Sequence, residues 1–267
     1  MKSNESTNQP DLTLSRRDFA RRSILAAAGV AAFSDMPSLL AQSGITDVDI
    51  VQFALNLEYL EAEFYTVAVT GKTLAQSGFN VGGTGRQGDT TGGAKVVFSN
   101  NLMFEVASQI ARDEQMHVKV LQGALGSAAI AKPSINLEAL KIGFRSQSEF
   151  LTLARAFEDV GVSAYGGAAP LIKDKNILAV AARIALTEGQ HAGVLRLLVA
   201  QNNVVVPQAD GSDVPPLGSP NGRLFQVDDQ GLSTIRTTSQ VLNIVLAGGP
   251  QTGGFFPDCV NGNINKV

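Results

Sequence analysis

The chain has 267 residues, 44% of them hydrophobic and 17% charged, with a net charge of −3. That is enough apolar material for one sizeable core, too much for a disordered chain, and no basic excess of the kind that binding nucleic acid requires. A single cysteine, Cys259, rules out an intrachain disulfide, so packing or a metal must hold the fold together.

In chain order, the first feature is Ser15-Arg16-Arg17-Asp18-Phe19, followed by Arg21-Arg22, an apolar stretch from Ile24 to Phe33, and a Pro-containing segment ending near Ala41. About ten apolar residues fall short of the roughly twenty that a membrane-spanning helix needs, so no permanent membrane span is expected. The order of charged, apolar and small residues resembles a twin-arginine signal peptide, with Ala20 where a bulkier apolar residue is usual. The resemblance implies that residues 1–41 are read by the twin-arginine export machinery and removed. The folded, metal-loaded remainder would then reach the periplasm or cell envelope.

From Asp47 to about Thr70 apolar residues recur at helical spacing, and Gly71 ends the run. Residues 71–95 are rich in Gly, Ser, Thr and Asn and read as a long surface loop. A second helix is predicted over about 97–125, then a connection over 126–145 long enough to cross a bundle, with a short helix from Leu137. A third helix follows over about 147–169, ended by Pro170, and a fourth over about 176–202. Residues 203–230 look irregular, and a shorter fifth helix is expected over about 233–247 before a Gly- and Phe-rich tail. The expected architecture is all-α. A four-helix bundle with a long crossover fills 42–202, and an extension carrying the short helix fills 203–267.

The chemistry lies in two matching strings. The second helix contains Ile110-Ala111-x-x-Glu114-x-x-His117-x-x-Val120-Leu121, and the fourth contains Ile184-Ala185-x-x-Glu188-x-x-His191-x-x-Val194-Leu195. Residues three apart project from one helix face, and Ile110, Leu121, Ile184 and Leu195 continue that face above and below, so both pairs aim into the core. A core carboxylate demands a cation, a proton or a strong donor. The other two long helices match as Ala54-x3-Glu58-x6-Tyr65 and Ala154-x3-Glu158-x6-Tyr165, which makes the chain two copies of a helix pair. Glu61 also points inward near Glu58, but Gly161 stands at its aligned position, so Glu61 is read as supporting the site rather than binding metal. Tyr65 and Tyr165 are candidates to hydrogen-bond the carboxylates, and Met103 and Met116 are read as core fillers.

Glu58, Glu114, His117, Glu158, Glu188 and His191 thus form the candidate metal-ligand set: a Glu from each of two helices and Glu-x-x-His from each of the other two. Four carboxylates and two neutral imidazoles balance two divalent ions. On these residues the chain resembles the ferritin-like superfamily. Leu57-Glu58-Tyr59-Leu60-Glu61-Ala62 together with Gly254-Phe255-Phe256-Pro257 resembles its exported branch, which includes plant desiccation-related proteins. The resemblance implies two iron ions, or alternatively two manganese ions, and a reaction with dioxygen or peroxide in iron oxidation or stress protection. The alternative is a non-enzymatic protein in which the metals only staple the bundle. The sequence leaves a homo-oligomer open, but the long glycine loop argues against a storage cage.

Overall fold

The computed structural model describes residues 44–267, so the expected signal peptide lies outside the described residues. Among the described residues five α-helices carry the fold: α1 (Asp47–Thr70), α2 (Asn101–Leu125), α3 (Gln147–Ala168), α4 (Lys175–Gln201) and the short α5 (Thr238–Val245). This is the expected all-α bundle, with α1 packed chiefly on α2 and α3 on α4 around one apolar core. Among the described residues no helix is long and apolar enough to cross a membrane.

The helix ends follow from local chemistry. Thr46 caps α1 in a capping box with Asp49, and Gly71, at φ 76°, closes it in the left-handed conformation. Asn100 accepts the Met103 amide at 3.0 Å and fixes the start of α2, four residues later than the expected position 97. The residues just before the cap have another use: the Val96 amide bonds the Ala68 carbonyl, and the Val96 side chain is buried. Ser146 and Asp174 cap α3 and α4.

The glycine-rich loop is not the purely superficial segment its composition suggests. Leu74 and Val81 within it are buried, and its strand β1 (Thr90–Thr91) pairs in parallel with β2 (Ile135–Asn136) of the crossover. Its glycines allow close approach: a Cβ on Gly83 would stand 2.5 Å from the Ala129 carbonyl oxygen. Buried Lys132 locks the two segments together, donating to the Gly88 carbonyl and to Thr90 Oγ1, both at 2.9 Å, with Glu63 Oε1 3.7 Å away. The short helix expected from Leu137 is a turn instead, because Lys141 and Gly143 take positive φ and break the helical conformation within one turn.

The extension is fastened to α3 and α4 by three buried arginines. Arg155 of α3 donates to Asp213 at 2.7 and 2.8 Å, Arg196 of α4 to the Val214 and Leu224 carbonyls at 2.8 and 3.0 Å, and Arg236 of the extension to Ser163 Oγ of α3 at 2.7 Å. Helix α5 is shorter than the expected 233–247. The Arg236 amide bonds Ser163, the Thr237–Gln240 capping box starts the helix after it, and Ala247 and Gly248 already have positive φ. In the tail, Phe255 and Phe256 are buried, and Asn261 exchanges hydrogen bonds with buried Asn56 of α1.

Candidate metal centre

Each of the four long helices delivers part of one buried cluster. Ile110, Leu121, Ile184 and Leu195 are all core residues, so the faces that carry them turn both Glu-x-x-His pairs inward. Glu58, Glu114, Glu158 and Glu188 are 1% exposed or less, and His117 and His191 are 8% and 6% exposed. All six candidate residues lie together, and their donor atoms fall into two overlapping sets: Glu58, Glu114, His117 and Glu188, and Glu114, Glu158, Glu188 and His191. Within each set the atoms lie within 4.8 Å of one another. Glu114 and Glu188 belong to both.

Distances within the cluster test whether the residues suit ions. His117 Nδ1 lies 3.2 Å from Glu58 Oε2, 3.1 Å from Glu114 Oε2 and 3.2 Å from Glu188 Oε1. His191 Nδ1 lies 3.0 Å from Glu114 Oε1 and 3.2 Å from Glu158 Oε2. One ring N–H cannot serve three acceptors. Two ligands of one divalent ion, each about 2.1 Å from it and at a right angle or a little wider, lie about 3.0–3.4 Å apart. Buried oxygens of all four glutamates, including both of Glu188, have no hydrogen-bond partner within the protein. Donors spaced like this, with unsatisfied oxygens between them, fit a pair of cations.

Charge crowding gives the same reading. Burial raises the Glu114 carboxyl to about 7 against the pull of both histidines, and burial with the charges of Glu114 and Glu158 raises Glu188 well above the usual carboxylate range. Burial works upward on Glu58 as well, but the His117 hydrogen bond and charge overcome it and leave its pKa lowered. Burial alone would lower the histidines; the carboxylates of Glu114 and Glu158, within 3.2 Å, instead push His191 up to about 12, and those of Glu114, Glu188 and Glu58 raise His117 further. Without ions the cluster thus takes up protons to offset its negative charge.

The tyrosines cross between the repeats. Tyr165 of α3 donates to Glu58 Oε1 of α1 at 2.5 Å, while Tyr65 of α1 lies buried beside Glu158 of α3 without a hydrogen bond. Glu61 is buried, and burial followed by the charges of Glu188 and Glu114 raises its pKa well above the ordinary value. A Cβ on Gly161 would stand 2.7 Å from Glu188 Oε2 and 3.2 Å from Glu61 Oε1, so only glycine leaves this face of the cluster open. One neighbour had no local signature in the sequence: half-exposed Asp113, whose Oδ2 lies 3.2 Å from His191 Nε2 across the α2–α4 interface. Met103 fills the core as expected, but Met116 is 51% exposed, because it lies on the side of α2 turned away from Glu114. Cys259 is a half-buried free thiol that belongs to neither donor set.

The chain also aligns, 23% identical over 269 residues, with the Ferritin-like catalase Nec2 of Nesocodon mauritianus, over 82% of this chain and 85% of that protein. Residues 46–201, which contain all six cluster residues, match the family described as Ferritin-like domain. A helical bundle built as two Glu-bearing helix pairs around a buried Glu/His cluster thus has its family counterpart, and the chain belongs to the ferritin-like domain family.

Proposed function

We propose that the six residues hold two iron ions, or alternatively two manganese ions, and that the pair reacts with peroxide or dioxygen, with disproportionation of hydrogen peroxide as the leading activity. The observation that carries this reading is the overlap of the two donor sets in Glu114 and Glu188, which would keep two ions adjacent. A bound pair of redox-active ions supplies the two electrons that cleavage of a peroxide O–O bond consumes and recovers them from a second peroxide, so that two H2O2 yield two H2O and one O2. The four carboxylates would offset the charge of two divalent ions, and the histidines would bind through Nδ1 in their neutral form. Tyr165 would hold Glu58 in place through its 2.5 Å hydrogen bond, fixing which oxygen faces the ions. The relative's name, a ferritin-like catalase, supports the choice of peroxide.

The Ser15-Arg16-Arg17-x-Phe19 string supports export to the periplasm or cell envelope, which amino-terminal sequencing of the exported protein would test. For the chemistry, an anaerobic ferrous-loaded sample mixed with hydrogen peroxide should develop ferric absorption rapidly and release oxygen. A Glu114→Ala/His117→Ala variant should do neither. Equal traces from the two proteins would remove the proposal.

A further inference from the structure

The two helix pairs repeat the ligands but not the packing around them. Phe64, Tyr65, Phe150 and Phe157 pack ring on ring beside Glu158, with centroids 5.1 to 5.8 Å apart. Their counterparts in the repeat, one hundred positions away, are Ala164, Tyr165, Ile50 and Leu57. Where one half has three phenylalanines, the other has an alanine and two aliphatic residues, and these line an apolar cleft that ends at Glu58 and Glu61. Helices α2 and α4 repeat the contrast: buried Leu198 on the filled side corresponds to exposed Ala124 at the cleft. The walls grade from half-buried Ala54, Leu57 and Ala164 at the mouth to buried Tyr165 and Glu58 inside. Gly161 keeps the inner end open toward Glu188 and Glu61.

We infer that this cleft is the entrance by which substrate reaches the metal pair, and that it selects small neutral molecules. The inference rests on the metal-pair reading above and adds the route and the size class. The cleft is narrow: about 40 Å³ of it is open to the centres of water-sized molecules, room enough for peroxide or dioxygen. Among the described residues no Lys, Arg or His lines it, so an anion would find no partner there and would meet the carboxylates of Glu58 and Glu61 at the end. A hydrated cation would have to shed its water against apolar walls. Dioxygen meets neither barrier, and hydrogen peroxide, which carries no net charge, gives up only the hydrogen bonds of a neutral molecule. The other approach to the cluster, the polar edge where half-exposed Asp113 meets His191, has the opposite chemistry.

The repeat supplies its own plug. A Leu57→Phe/Ala164→Phe double variant places in the cleft the rings that Phe157 and Phe64 supply in the filled half. Wild type and variant should bind the same number of ferrous ions per chain. The association rate of nitric oxide, a neutral diatomic probe, should nevertheless fall by roughly tenfold or more, as a steric barrier of overpacking size would impose. Xenon under pressure should occupy the cleft in crystals of the metal-free wild type and be absent from the double variant. If the double variant does not fold, Ala54→Leu at the mouth carries the same test with the same expected direction. Equal nitric oxide rates in proteins that both bind metal would overturn this inference alone and move the entrance elsewhere. Failure of the wild type to bind metal would instead overturn the metal reading and this inference with it.

Discussion

At the scale of single residues, the unequal sharing of ligands makes a sharp prediction. Glu58 belongs to one donor set and Glu188 to both. Elemental analysis should therefore find that Glu58→Ala keeps about one tightly bound ion of the two, because the set around His191 is intact, while Glu188→Ala loses most of both. The same content in the two variants would mean that Glu188 is not shared. The six residues themselves were legible in the sequence because Glu and His three apart share a helix face whatever the tertiary fold, and the second copy made chance an unlikely source. The contacts of Tyr165 with Glu58 and of Asp113 with His191 join different helices, and no spacing along the chain encodes them. The exposed position of Met116 had a local signal that was passed over: it lies two residues from Glu114 and so faces away from the core.

At the scale of elements, the helix ends at Thr46, Gly71, Ser146 and Asp174 lie within a residue or so of where the sequence put them, while the starts capped by Asn100 and Thr237 lie four or five residues later. Boundaries slipped where a segment's hydrogen bonds go to a distant partner, as at Val96 and Arg236. The loop and the extension read as irregular because their order comes from long-range polar contacts to buried Lys132, Arg155, Arg196 and Arg236. Asp213 is the clearest test of that account. Its carboxylate takes two hydrogen bonds from Arg155 and another from the Ala209 amide at 2.7 Å. In Asp213→Ala, Arg155 would keep only Asp159 at 3.3 Å and the Pro207 carbonyl, leaving a buried cation poorly paired. Urea unfolding should show a loss of about 3–5 kcal/mol, and limited proteolysis should cut first within residues 203–230. A loss below about 1 kcal/mol, typical of an exposed ion pair, would show that the arginines do not hold the extension in place.

At the scale of the whole molecule, the internal repeat gives the bundle its pseudo-symmetry, and the centre lies where the two halves meet. That much was readable from aligned Glu, Tyr and His positions; the filled and open sides were not, because they depend on which substitutions face each other across helices. The shared centre also makes stability depend on pH and metal together. In the metal-free protein Glu114 is raised from 4.5 to about 7, chiefly by burial. His191 is raised from 6.5 to about 12, because the adjacent carboxylates of Glu114 and Glu158 outweigh burial. For both groups the folded state binds more protons than the unfolded chain, so stability falls as pH rises, from about 4.5 to 7 for Glu114 and from about 6.5 to 12 for His191. Bound ions reverse the direction, since ligands must lose protons to bind them and binding only the folded state stabilises it. Thermal melting from pH 5.5 to pH 8.5 should therefore show the chelated protein losing melting temperature steadily while the metal-loaded protein holds or gains. The gap between the two should be widest at the alkaline end. Parallel curves would mean that metal and protons do not compete for the same side chains, and the centre would have to lie elsewhere.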